Sequence, residues 1–170
     1  MPSNIIGRSK QARKILEYFE SLQHGLLAPM ISIFGRSGSG KSTIVKFVCK
    51  NTDDWMSYAF VNIRKAKTVF GCVNIVLSEL GIEPLSADSL TKVIESIDKR
   101  IEDLLLSSNK RVFVLVLDEY DVIFYDKRDN PSDFLYKLLT LEENLERKIC
   151  GCVLLPYPIM DLLIITWMIE

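Results

Sequence analysis

Two hydrophobic patterns alternate along this chain: apolar residues recurring every three or four positions, and short unbroken apolar runs. The first marks an amphipathic helix, the second a strand covered on both faces. Ala12, Ile15, Leu16, Phe19 and Leu22 fall on one helical face, which predicts a helix from Ser9 to Gln23, ended by Gly25. Met30 to Phe34 is a short, partly β-branched run bounded by Pro29 and Gly35, the pattern of a buried parallel strand. Ile44, Val45, Phe47 and Val48 then predict a helix over Lys41 to Lys50.

The alternation continues. Ser57 to Ile63 reads as a second strand, and Thr68 to Leu80 as a helix stopped by Gly81. Ser89 to Leu106 is a longer helix whose apolar set, Leu90, Val93, Ile94, Ile97, Ile101, Leu104 and Leu105, lies on one face. Arg111 to Leu117 is apolar at every position after its arginine, and Asp118 stands where the strand ends. Ser132 to Leu145, capped around Asn130 to Ser132, is a further helix, and Lys148 to Leu155 a fourth strand. Strands and helices of these lengths in alternation imply an α/β fold: three αβα layers around a mostly parallel sheet. The chain shows no repeat and no low-complexity segment.

Composition narrows the class. The chain has 170 residues, 48% of them hydrophobic and 25% charged, which excludes a collagen-like or disordered protein and leaves room for one core of this kind, not two. Basic and acidic residues number 21 and 22, for a net charge of −1, so a protein held to nucleic acid mainly by a basic surface is excluded, although a local basic patch is not. Cys49, Cys72, Cys150 and Cys152 have neither the density of a disulfide framework nor a second pair to complete a zinc site, which points to a reducing, cytoplasmic setting. MPSNIIGRSKQ lacks the apolar stretch and cleavage site of a signal peptide. The apolar C-terminal segment is broken by Pro156, Pro158 and Asp161, which leaves Leu162 to Ile169, about half a membrane span, so it reads as core and no membrane is expected.

The chemistry lies between the first strand and the helix after it. Gly35-Arg36-Ser37-Gly38-Ser39-Gly40-Lys41-Ser42 matches the phosphate loop G-x-x-x-x-G-K-[ST] at every fixed position, and Thr43 follows. Gly35, Gly38 and Gly40 let the backbone curl so that successive N–H groups converge on an anion, the helix adds its positive end, and Lys41 reaches the terminal phosphates. Ser42 is placed to put its hydroxyl on Mg²⁺. A merely flexible Gly/Ser turn would need neither the strand before nor the helix after. Val112 to Leu117 followed by Asp118-Glu119 has the form of a Walker B strand, with Asp118 holding Mg²⁺ through its water shell and Glu119 orienting the attacking water. The competing reading is a solvated acidic turn. The Asp-Glu pair favours a hydrolase over a nucleoside kinase, whose Arg-rich lid is also missing.

GRSGSGKST, VLVLDEYD and the opening IIGRSKQARKILEYF together resemble the AAA+ ATPases of the archaeal origin-recognition and cell-division-control initiator family. The resemblance covers about residues 4 to 150 and implies a P-loop NTPase of the ASCE type. It implies that Ile5, Ile6 and Gly7 border the adenine, against the plainer reading of N-terminal core packing; Ser9 stands where an acidic residue is common. AFVNIRKAKTVFGCVNIVLSELGIEP is similar to the family segment after the second strand, and the two helices before Walker B occupy the region where initiators carry a DNA-contacting element. Arg64, Lys65 and Lys67 form a basic cluster there, readable as a DNA contact or as a solvated surface. Origin DNA and other AAA+ subunits are the partners implied.

After Lys148 the resemblance stops. Where the family places a polar sensor at the end of the fourth strand, KICGCVLLPYPIMDLL offers Pro156 and Tyr157; an arginine finger, a fifth core strand, a helical lid and a winged helix are also unassigned. The expectation is therefore a truncated or frame-altered AAA+ core over residues 1–155, incomplete at its C-terminus, with an apolar tail over 156–170. Met30 to Phe34 would then be a sheet edge, which Leu162 to Met168 either covers or, left undocked, drives to aggregate. The function expected is ATP binding in an initiator-like core with hydrolysis weak or lost. The alternative is a regulatory P-loop module acting on a protein partner without DNA. His24 reads as a helix-end residue, Cys150 and Cys152 as small core residues, and Trp55, Tyr58 and Phe60 as packing. Tyr120 and Asp121 fit either a site border or ordinary strand-end polarity.

Overall fold

In the computed structural model, residues 7–23, 30–36, 38–66, 68–84, 90–110, 112–125, 130–139 and 153–157 are described. The elements are α1 (Ser9–Gln23), β1 (Met30–Phe34), α2 (Lys41–Asn51), β2 (Met56–Asn62), α3 (Val69–Glu79), α4 (Leu90–Ser108), β3 (Val112–Asp118), a 3-10 turn (Tyr120–Tyr125), α5 (Pro131–Leu139) and β4 (Val153–Tyr157). All strand pairs are parallel, in the order β1-β4-β3-β2. The boundaries of α1 and β1 coincide with those expected from the periodicity; β2 and β3 are each displaced by one residue.

Local chemistry accounts for the ends. The Thr68 side chain accepts from the Gly71 N–H at 2.8 Å and caps α3, and Gly81, at φ 74°, ends it. The Asn130 side chain accepts from the Ser132 N–H at 3.0 Å as α5 begins.

β3 is buried at every position because both of its faces are covered. Val112, Val114 and Val116 face a cluster with Ile15 and Phe19 of α1 and Val45 and Val48 of α2. Phe113, Leu115 and Leu117 alternate to the other side and meet Leu77 of α3, Ile97 and Ile101 of α4 and Phe134 of α5. Two cores separated by a sheet make the three layers that the alternation implied. Trp55, Tyr58 and Phe60 pack partly buried against the first core, and Tyr120 is fully buried in the second. Cys49 also lies in the first core, where burial pushes its thiol up to about 12, so it acts as a small apolar residue.

The fourth strand departs from expectation. It continues two residues past the expected end at Leu155, to Tyr157, and is described from Val153 on; residues 148 to 152 of the expected strand lie outside those described. Pro156 and Tyr157 are therefore strand residues, level with Ile33 and Phe34 of β1, and Tyr157 is the last of the strand. Pairing between β4 and β3 is confined to Leu154 opposite Val116, and Pro156, which has no N–H to give, lies just beyond it. Among the described residues β1 and β2 are the outer strands. His24, Cys150, Cys152 and the tail from 158 lie outside the described residues. Among those described, no helix is long and apolar enough to cross a membrane.

Candidate functional site

The turn from β1 into α2 lies at the carboxyl edge of the sheet, where parallel topology gathers the ends of all strands. A Cβ on Gly35 would stand 3.1 Å from the Ser39 hydroxyl and 3.5 Å from Lys41 Cδ, so the loop closes on bare backbone. Gly40 holds the left-handed conformation at φ 86° that turns the chain into α2. The Ser39 N–H donates to the Arg36 carbonyl at 3.1 Å and tightens the curl. The first intrahelical bond of α2 runs from Ile44 N–H to the Gly40 carbonyl at 3.0 Å. The N–H groups of Lys41, Ser42 and Thr43 thus have no acceptor within the helix and form the positive end of its dipole.

Lys41 folds back over the loop, its ammonium donating to the carbonyls of Gly35 at 2.6 Å and Arg36 at 3.0 Å. Ser42, on the same turn, donates its hydroxyl to Asp118 Oδ2 at 2.8 Å, joining residues 76 apart in sequence. Asp118 is the last residue of β3 and only 7% exposed, in register with Asn62, the last residue of β2. The Asn62 amide donates to the same oxygen at 3.4 Å, and its own carbonyl oxygen accepts from the Arg64 N–H at 3.0 Å. Ile33, Val45, Phe60 and Val116 form the apolar floor of a small pocket at whose mouth Lys41, Ser42 and Asp118 meet.

Glu119 leaves the strand in a left-handed conformation, φ 58°, unusual for a residue with a Cβ. It is fastened between two buried neighbours, Asp118 and Tyr120, and its carboxylate meets Arg64 Nε at 3.5 Å. Tyr120 stacks on Phe134 with ring centroids 6.5 Å apart and meets the edge of Phe124 at 5.6 Å, which holds the turn after β3 in place.

The fold thus brings together Gly35, Arg36, Gly38, Ser39, Gly40, Lys41, Ser42, Thr43, Asp118 and Glu119 of the expected set. Ile5, Ile6, Ser37 and Lys67 lie outside the described residues. The Ser42 hydroxyl and Asp118 carboxylate, 2.8 Å apart, are hard oxygen donors of the kind Mg²⁺ takes, so these residues would fit the ion, Ser42 as a ligand and Asp118 through water. Two contributors were not singled out as site residues from sequence: Asn62, against Asp118, and Arg64, which was grouped with the basic cluster but is paired with Glu119. The available signal was register, since parallel neighbours ending together place their last polar residues side by side.

Comparisons with known proteins agree with this architecture. Residues 4–151 match the AAA ATPase domain family. The ORC1-type DNA replication protein 1 of Sulfurisphaera tokodaii is 28% identical over 143 residues, which is 81% of this chain and 34% of that protein. The ORC1-type DNA replication protein of Desulfurococcus amylolyticus is 25% identical over 155 residues, 86% of this chain and 37% of the relative. Among solved structures, the Aeropyrum pernix ORC1 protein in complex with DNA superposes with a TM-score of 0.72 at 21% identity, over 92% of this chain and 40% of that one. The chain therefore spans little more than a third of the length of these curated relatives. The match over most of its length, on a parallel sheet whose phosphate loop meets a strand-end carboxylate, shows that this chain belongs to the AAA ATPase domain family, with ORC1-type replication proteins among its relatives.

Proposed function

We propose that this chain binds MgATP and MgADP as the AAA+ core of a replication initiator-like protein. The observation that carries this reading is the contact between Ser42 and Asp118 at 2.8 Å, beside a lysine held over a loop of inward-turned backbone. Lys41 exchanges two backbone carbonyls for phosphate oxygens; the free N–H groups of α2 receive the remaining anionic charge. Mg²⁺, held by Ser42 and by Asp118 through water, supplies neutralisation of charge on the phosphates. Glu119 lies next in sequence to Asp118 and is the group to orient and deprotonate the attacking water, with Arg64 and the left-handed turn controlling its aim. The residues assigned include no arginine finger or sensor, so hydrolysis by the chain alone is slow. Arg64 and Lys65, exposed after β2, are the residues proposed to approach DNA, a reading supported by the DNA complex of the structural relative.

Calorimetric titration with MgATP and MgADP tests the proposal: binding at micromolar concentration is expected, and a folded sample that gives no heat would overturn it. A second expectation separates binding from turnover. Glu119→Gln should keep nucleotide affinity within a few-fold while lowering any hydrolysis, measured with duplex DNA present, by about 100-fold or more, because a general base contributes roughly 10²–10⁴. A variant that hydrolyses ATP as fast as the native chain would remove Glu119 from the mechanism.

A further inference from the structure

Among the described residues β2 is an outer strand of the sheet, and its sequence, Met56-Ser57-Tyr58-Ala59-Phe60-Val61-Asn62, contains no charge and no proline. Such an edge is a template for another strand unless something guards it. The Ile63 N–H donates to the Asp118 carbonyl at 2.9 Å, so odd-numbered backbone groups turn toward β3. Tyr58, Phe60 and Asn62 therefore turn their N–H and C=O groups outward, as Met56 does its C=O, its N–H being given to the Thr52 carbonyl at 3.2 Å. Charge flanks the strand with opposite sign at its two ends: Asp53 and Asp54 before it, Arg64 and Lys65 after it, all exposed.

From this pattern we propose that β2 is a self-complementary interface that pairs antiparallel with β2 of a second copy of this chain, joining two sheets about a twofold axis at Ala59. A strand with opposite charge at its ends repels a parallel copy, which sets Asp on Asp and Arg on Arg, and attracts an antiparallel one. Outward-turned groups must meet outward-turned groups, which allows only alternate registers. The register centred on Ala59 sets Tyr58 against Phe60 of the second copy and brings the turn that carries Asp53 and Asp54 up to its turn that carries Arg64 and Lys65. Tyr58 and Phe60 lie on the same face of the sheet, so each crossing forms an aromatic pair, and the Lys46 ammonium already sits 4.1 Å from the Phe60 ring centroid. Within one chain Arg64 holds Glu119 and Asp53 holds Lys110 at 3.1 Å. The incoming turns extend these pairs into clusters of alternating sign, the acidic turn joining Glu119 and Arg64 and the basic turn joining Lys110 and Asp53.

Analytical ultracentrifugation of the full chain tests the pairing. The native chain, of 19.4 kDa, is expected to show a concentration-dependent monomer–dimer equilibrium. Asp54→Lys and Arg64→Glu, each of which brings like charges together twice in the dimer, should each weaken dimerisation about tenfold or more. An equimolar mixture of the two variants should recover it, because the turn with Lys at 54 then meets the turn with Glu at 64 while the turn with native Arg64 meets the turn with native Asp54. A second measurement leaves the charges intact. Ala59→Cys on the twofold axis should form a reducible cross-linked dimer on mild oxidation, since residues at a non-hydrogen-bonded antiparallel position lie about 4.5 Å apart at Cα, within disulfide range; Tyr58→Cys, facing Phe60, should form none. A native chain that remains monomeric at all concentrations, variants that dimerise like the native chain, a mixture that fails to recover dimers, or equal cross-linking at 58 and 59 would each overturn the proposal.

Discussion

Lys41→Ala is expected to lower MgATP affinity by about 100-fold or more while leaving the fold intact. The ammonium makes two hydrogen bonds to the loop's own carbonyls, at 2.6 Å and 3.0 Å, and so already stands over the loop that is proposed to take the terminal phosphates. A hydrogen bond involving a charged group contributes roughly 1.5–3 kcal/mol, and losing two such bonds to phosphate oxygens amounts to at least a hundredfold in the binding constant. The structural cost should be small because Lys41 lies on the first turn of α2 and its bonds face solvent. Lys41→Arg should rescue affinity only in part, since a planar fork does not replace a compact ammonium in a loop closed this tightly around Gly35. Calorimetry on the native chain and both variants, with thermal unfolding of each to show equal folding, checks the result. A Lys41→Ala chain that binds MgATP as tightly as the native one would show that the loop amides alone hold the nucleotide.

Tyr120→Ala should destabilise the domain by about 3–5 kcal/mol, the usual cost of emptying a buried aromatic site. Its ring is fully buried, lies against Phe134 and Phe124, and closes the second core directly beneath the turn that carries Glu119. Against a total stability of about 5–15 kcal/mol, that loss is a large fraction. The effect should also reach the site, because a left-handed residue with a Cβ persists only where its surroundings hold it, and Glu119 is held by Tyr120 on one side and Asp118 on the other. Tyr120→Phe keeps the ring and should keep most of the stability. Urea denaturation of the three proteins checks this; a Tyr120→Ala chain within 1 kcal/mol of the native one would mean, on the usual scale for such truncations, that the site collapses around the missing ring.

Much of the helix and strand pattern is written in local chemistry. The α1 stripe of Ala12, Ile15, Phe19 and Leu22 and the unbroken run of β3 are periodicities that any fold of this chain has to satisfy. The phosphate loop is legible for the same reason: its glycines and lysine act on one short stretch of backbone. Where neighbours far apart in sequence decide the outcome, local reading fell short. β4 was expected to end two residues earlier, at Leu155, because its extent depends on pairing with β1 through Tyr157 despite a proline, and no single-strand pattern carries that.

The amino-acid sequence by itself determined most of the elements, the glycine-rich Gly35–Ser42 motif and the acidic pair after β3, because each depends on the spacing of residues within one segment. Only the tertiary structure decided that Ser42 meets Asp118, that Asn62 supports it, that Arg64 is paired with Glu119 and that Glu119 takes a left-handed turn. These are contacts between the ends of different parallel strands and the loop beside them, set by the register in which the sheet assembles, and register belongs to the whole fold and to no single segment.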